Sequence, residues 1–337
     1  MSLFTGLISL VAVSLISRIK MRSTILVVAL NPSIDVEWTV ATIRVEEKNS
    51  IVAERRWPGG KGINVARWLA RLGCDVELLL PIGGANGEEL IHEVQANGIV
   101  THPVELREET RANIVITPEK GRQLRFNPAG PTVFPQEWAQ IKSALRTLSR
   151  RADVAVFSGS VPPGVPLAGY RELMSIAQRA GLKCILDCDG APFAQAVRAR
   201  PLLVKPNAHE LQQWCGHRLQ TRREILDGAK ALSTVTREWV LVSRGRAPAL
   251  LVNSLRGQFF EAGPVREPAV NTVGAGDAML AGAIKAISDG LPPAAWLQLA
   301  LACGSAAVRH QAGVLAGTHL IKRLARETQR KIRHREL

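Results

Sequence analysis

Along most of the chain, apolar runs of strand length alternate with longer stretches whose apolar residues recur at helical spacing. The strand-like runs are "ILVVAL", "VELLLPI", "VAVFSG", "CILDCD", "LLVKPN" and "WVLVSRG", apolar throughout rather than at every second position. A strand reads that way when helices cover both faces of its sheet, so the pattern predicts βαβ units and a mostly parallel central sheet. Helices are predicted over "INVARWLARLG", "GEELIHEVQANG", "PQEWAQIKSALRTLSR", "YRELMSIAQRAG", "RREILDGAKALST" and "GDAMLAGAIKAISDG", several closed by glycine. Two segments, residues 36–57 and 104–127, instead alternate apolar and polar side chains. They predict antiparallel strands with one wet face, a small lid sheet beside the main one. The expected fold class is α/β, a three-layer α/β/α sandwich with a β-lid.

With 337 residues and 46% hydrophobic content, the chain can bury a full core. Its formal charge of +14 favours anionic partners without choosing among them. Much of the excess is concentrated in residues 321–337, through Lys322, Arg323, Arg326, Arg330, Lys331, Arg333 and Arg335. No recognition motif accompanies these residues and only 4% of the chain is aromatic, so they are read as a solvated basic tail and not as a nucleic-acid contact. Five scattered cysteines form neither a disulfide framework nor a zinc spacing, which fits a cytoplasmic protein. Cys184 and Cys188 fall in an apolar strand-like run and are expected in or near the core.

Residues 1–20 are apolar, with basic residues behind the run rather than ahead of it, and are short for a membrane span. They are read as an extension ahead of a natural domain start at Met21; the alternative is a membrane anchor. The expected organisation is therefore an extension over 1–20, one domain over 21–320 and the tail.

Candidate chemistry begins at "NTVGAGDAMLAG", residues 271–282. A helix N-terminus exposes unpaired N–H groups with positive partial charge, and glycines there let a phosphate approach them closely. Asp277 in the same turn is placed to take a proton from a hydroxyl attacking that phosphate. A plain reading also fits: a glycine-rich packing turn with Asp277 as a cap. "WPGGKGINVARWLARLG" is a second glycine loop opening a helix, with Lys61 in the loop and Asn64 one turn on, although it matches no standard phosphate-loop spacing. "NPSID" ends the first strand with Asp35, at the carboxyl edge where open α/β sheets bind ligands.

In order along the chain, "NPSID", "GGKGINVAR", "GGANGEEL", "TRANIVI", "FNPAGP", "SGSVPPGVP", "KPNAHEL", "VSRG" and "NTVGAGDAMLAG" together resemble the ribokinase-like PfkB family of carbohydrate kinases. Within it they resemble the branch holding 1-phosphofructokinase, the minor bacterial 6-phosphofructokinase and tagatose-6-phosphate kinase. The resemblance implies ATP-dependent phosphorylation of a phosphorylated ketohexose, with Mg²⁺ and in some members K⁺. It implies Asp277 as general base and Gly274, Ala275 and Gly276 as the anion hole. Lys205, Asn207 and Glu210 would meet the ATP phosphates, Glu210 holding Mg²⁺ through water, and Ser243 and Gly245 would flank the nucleotide. Asp35, Gly60 and Asn64 would hold the sugar; Lys48, Arg111, Lys61 and Ser160 would hold its phosphate. A backbone K⁺ site would include Val273, and a homodimer would form through the lid. The rival readings are an unphosphorylated sugar or nucleoside acceptor, and a non-catalytic sugar-phosphate sensor.

Three departures from that pattern stand out: Pro248 where a second glycine is usual, Asp189 in place of a small hydroxyl residue, and a lengthened "RHQAGVLAGTHL". They bear on nucleotide preference and on potassium activation.

Overall fold

The computed structural model describes residues 23–266 and 268–336, so the reading of residues 1–20 lies outside the described residues. Its strands are β1 Thr24–Val28, β2 Ser33–Val40, β3 Ile51–Gly59, β4 Asp75–Ile82, β5 Val100–Glu105, β6 Arg111–Pro118 and β7 Leu124–Phe126. They continue with β8 Val154–Ser158, β9 Lys183–Asp187, β10 Leu203–Val204, β11 Trp239–Val242, β12 Ala249–Asn253, β13 Gln258–Ala262 and β14 Arg333–Glu336. The described helices are α1 Lys61–Arg71, α2 Gly84–Ala96, α3 Pro135–Leu148, α4 Gly169–Arg179, α5 Gly190–Ala196, α6 Ala208–Cys215, α7 Arg222–Thr236, α8 Ala275–Ser288, α9 Pro293–Ala307 and α10 Thr318–Gln329.

The main sheet has the order β14-β13-β12-β11-β10-β9-β8-β1-β4-β5. It is parallel from β5 to β11 and antiparallel beyond. Alternate residues of one strand feed two cores. Ile25 and Val27 pack with α1, α8 and α9, while Leu26 and Val28 pack with α3, α4 and α7. This two-sided burial is why the strands read as continuous apolar runs. Chain order reverses between β1 and β8, and both strands end at the cavity described below.

The lid is the four-stranded sheet β3-β2-β6-β7. Two expectations are corrected here. β2 and β6 pair in parallel, Asp35 opposite Asn113, because β6 arrives from the main sheet rather than through a hairpin. The second lid segment starts at Arg111 and not at 104, since residues 104 and 105 finish β5, the parallel edge strand of the main sheet.

The basic C-terminal stretch also differs from a tail. α10 crosses residue 320 and buries Ile321, Leu324 and Thr328, and β14 pairs with β13, where His334 stacks on Phe260. Its apolar residues recur every three to four positions between the charges, which is the stripe of a packed helix. Cys184 and Cys188 are buried. Among the described residues, no helix is long and apolar enough to cross a membrane.

Candidate active site

The carboxyl ends of the parallel strands, the N-termini of α1 and α8 and the inner face of the lid enclose a cavity of about 1620 Å³. α8 starts at Gly274, whose φ of 77° is left-handed and suits glycine. Residues 273–277 line the cavity, and the first amides of a helix have no intrahelical acceptor; of these, Ala275 N donates to the Thr272 carbonyl at 3.4 Å. Gly60 is the N-cap of α1, also at positive φ (91°) but with an extended ψ of 144°. Thus two helix N-termini meet at one floor.

Asp277, in the first turn of α8, is 7% exposed. Asn64, one turn into α1, donates from Nδ2 to Asp277 Oδ2 at 2.9 Å. Burial, reinforced by the nearby charge of Asp187, raises the Asp277 carboxyl to about 7, against the lowering effects of Asn64, Lys205 and Lys61. A carboxyl poised near neutrality is suited to general base work.

Beneath it lies a charge network. Lys205 Nζ, only 5% exposed, is 3.1 Å from Asp187 Oδ2. Lys61 Nζ is 3.2 Å from Glu210 Oε1, 3.4 Å from Asp189 Oδ2 and 3.7 Å from Asp187 Oδ1. Burial pulls the Lys61 ammonium down, yet the surrounding carboxylates outweigh it and hold it above its ordinary value. Asn207 and Glu210 close a capping box on α6, with both hydrogen bonds at 2.8 Å. Cap and phosphate contact are compatible, because the box consumes Glu210 Oε2 and leaves Oε1 beside Lys61. Ser243 bridges to Asn207 in parallel register, which sets the turn through Gly245 at the cavity edge. The Pro248 carbonyl accepts from Arg244 in that turn. Val273 lines the cavity ahead of α8.

At the lid end, Asp35 Oδ1 accepts from Asn113 Nδ2 at 2.8 Å and from Ser33 Oγ at 2.9 Å. Burial raises its carboxyl while these donors oppose the rise. The carboxylate lies against Gly59, where an added Cβ would be 2.1 Å from Oδ1. Ser160 lines the cavity, and its Oγ accepts from Asn31 Nδ2 at 3.0 Å.

Two expected phosphate-gripping residues behave differently. Lys48 lies on the exposed turn between β2 and β3, outside the cavity lining, because the lid strands carry that turn away from the floor. Arg111 does line the cavity, but its guanidinium donates to the backbone carbonyls of Pro128 and Asn31, both at 2.9 Å, and burial lowers its pKa. Every other expected residue with a side chain or amide at stake faces this one space: Asp35, Gly60, Lys61, Asn64, Ser160, Lys205, Asn207, Glu210, Ser243, Gly245 and the turn 273–277.

Sequence reading missed Asp187 and Asn113. Asp187 is 1% exposed and sits at the carboxyl end of β9, the position that singled out Asp35, but the surrounding "CILDC" reads as core. Asn113 lies two residues after Arg111, and its role depends on the parallel register that brings it opposite Asp35.

The carboxylates nearest the donor side are Glu210, which lines the cavity with its Oε1 beside Lys61, and Asp187, whose two oxygens face Lys205 at 3.1 Å and Lys61 at 3.7 Å. Hard oxygen donors of this kind suit Mg²⁺. Among the described residues, no group of three or more His, Cys, Asp or Glu side chains forms a ready-made metal cage.

Comparison with known proteins agrees with the geometry. The sequence profile described as pfkB family carbohydrate kinase matches residues 27–316. A 1-phosphofructokinase of Haemophilus influenzae is 31% identical over 287 residues, covering 85% of this chain and 91% of that protein. A tagatose-6-phosphate kinase of Staphylococcus epidermidis is 31% identical over 261 residues, covering 77% and 83%. The crystal structure of phosphofructokinase-2 from Escherichia coli in complex with potassium superposes with a TM-score of 0.85 at 30% identity, covering 91% of this chain and 99% of that one. The chain belongs to the pfkB family of carbohydrate kinases.

Proposed function

We propose that the protein transfers the γ-phosphoryl group of ATP to a hydroxyl of a phosphorylated ketohexose. The observation that carries the reading is the buried Asp277 carboxyl, raised to about 7 and set in the first turn of a helix whose opening residues, 273–277, line the same cavity. Asn64 occupies Oδ2 and leaves Oδ1 to take the proton of the attacking hydroxyl. As the new O–P bond forms and the bond to the leaving ADP oxygen breaks, the amides of Gly274, Ala275 and Gly276 stabilise the charge spread over the phosphoryl oxygens. Lys205 and Lys61 supply compensating positive charge on the same side. Glu210, which lines the cavity, would hold Mg²⁺ through water, and the cation would supply charge neutralisation of the polyphosphate.

The acceptor lies along the lid wall. Asp35, oriented by Ser33 and Asn113, accepts hydrogen bonds from sugar hydroxyls, and Gly60 and Asn64 complete that side. Arg111 and Ser160 are the cavity-facing groups placed for the acceptor's own phosphate, while Lys61, ringed by Asp187, Asp189 and Glu210, stands on the donor side. Arg111 must exchange a backbone carbonyl for phosphate to take part. Lys48 joins only if the lid, or the lid of a second copy, brings it inward. Val273 and its turn are the place for a monovalent cation. A homodimer through the lid is supported by the exposed apolar residues Ile51, Val52, Leu124 and Phe126.

A panel of fructose 1-phosphate, fructose 6-phosphate, tagatose 6-phosphate, fructose, ribose and adenosine tests the reading by initial-rate ATP turnover with Mg²⁺ and K⁺. Selective turnover of one sugar phosphate is expected. Turnover of unphosphorylated acceptors alone would refute the phosphate assignment while sparing Asp277; no turnover with any acceptor would point to a sensor.

A further inference from the structure

Lys61 is the first residue of α1, and three carboxylates compete for its ammonium group. Two of them have a second partner as well: each shares its carboxylate between Lys61 and another group. Asp187 also faces Lys205 at 3.1 Å, and Glu210 closes the capping box of α6 with Oε2 while its Oε1 faces Lys61 at 3.2 Å. Asp189 is different. It occupies the N-cap position of α5 without a side-chain capping bond, it is half exposed at the cavity rim, and its described contact is with Lys61 at 3.4 Å.

We propose that Asp189 is a positioning residue that holds Lys61 toward the α5 side of the floor and thereby weakens nucleotide binding. The inference rests on the kinase reading above. In the free site Asp189 satisfies Lys61 across the cavity rim; when the triphosphate arrives, Lys61 must leave that carboxylate to face the phosphate oxygens. A hydroxyl residue at 189 would impose no such exchange. Asp189 therefore sets how much ATP the enzyme needs, while Asp277 and the α8 amides set the chemistry.

The test is a double-mutant cycle on the full chain with Asp189→Asn, Lys61→Met and the pair, measuring the Kd for Mg-ATP by titration calorimetry without acceptor and KM against kcat by initial rates. Because the bridge is partly exposed, Asp189→Asn is expected to lower both Kd and KM for ATP about two- to fivefold. The gain should vanish in the Lys61→Met background. Asp189→Ser should repeat it and Asp189→Glu should restore the wild-type KM. An equal gain in both backgrounds would mean simple repulsion of the triphosphate and would overturn the positioning role, as would an unchanged or raised KM. Wild-type protein that binds no Mg-ATP would overturn the kinase reading as well, so the two failures are distinguishable.

Discussion

Replacing Asp277 with asparagine should cost activity and add stability, and the stability gain should depend on pH in a defined direction. The carboxyl is raised from an ordinary 3.8 to about 7, chiefly by burial. A raised acid binds its proton more tightly in the folded than in the unfolded chain. Below the unfolded value both states are protonated and the penalty is absent. Between the two values folding must hold a proton that the unfolded chain releases, so wild-type stability declines as pH rises, and above about 7 the full penalty applies. Taking about 1.4 kcal/mol per unit, the penalty amounts to about 2 kcal/mol near pH 5 and about 4 kcal/mol near pH 8. Asparagine carries no charge to desolvate, and its carbonyl can still accept from Asn64. Urea unfolding of both proteins at the two pH values should show the variant's advantage growing by about 2 kcal/mol with pH. Turnover should fall by about 10²- to 10⁴-fold while Mg-ATP binding persists. A stability difference that does not change with pH, or a variant less stable near pH 8, would refute the assignment of a strained buried carboxyl.

Three further outcomes are expected. In the wild type, kcat/KM should rise about tenfold per pH unit below about 7 and level off above it, because the base works only when deprotonated; Asn64→Leu, which removes a donor that lowers the pKa, should move the midpoint upward, and an unmoved midpoint would contradict the contact. Gly59→Ala should raise acceptor KM with little change in the Kd for ATP, since the new methyl collides with the Asp35 carboxylate; loss of ATP binding instead would show that the glycine serves the nucleotide. Lys205→Met should destabilise the fold by about 3 kcal/mol in urea, because it leaves Asp187 buried beside only the more distant Lys61, and a neutral result would mean that Lys61 alone suffices.

How far the residues alone reveal this molecule follows from what kind of interaction decides each part. β1, β4, β8 and β9 are legible because burial on both faces leaves an uninterrupted apolar run, and the helices from α1 to α4 because each has one buried stripe. The lid's existence is legible from alternation, but its parallel β2–β6 pairing is not, because register between distant segments leaves no local trace. Asp277, Asn64 and Lys61 stand in glycine loops whose local geometry announces them. Asp187 is hidden because a single carboxylate at a strand end looks like part of the core until its two lysine neighbours arrive from other elements. Lys48 shows the opposite limit: the family resemblance sets it beside the substrate phosphate, and in the fold it sits on an exposed turn outside the cavity lining, so its part depends on the lid.

β3 ends at Gly59 and α1 begins at Lys61, with Gly60 alone between them. The strand proposed to wall the sugar is therefore joined, through a single residue, to the lysine proposed to face the donor phosphates. Any tightening of the lid around an acceptor pulls directly on that lysine, so the lid is a lever as much as a cover. On the proposed reading the two substrates meet adjacent links of the same short length of chain, and each should register the other's arrival without a relay through the rest of the fold.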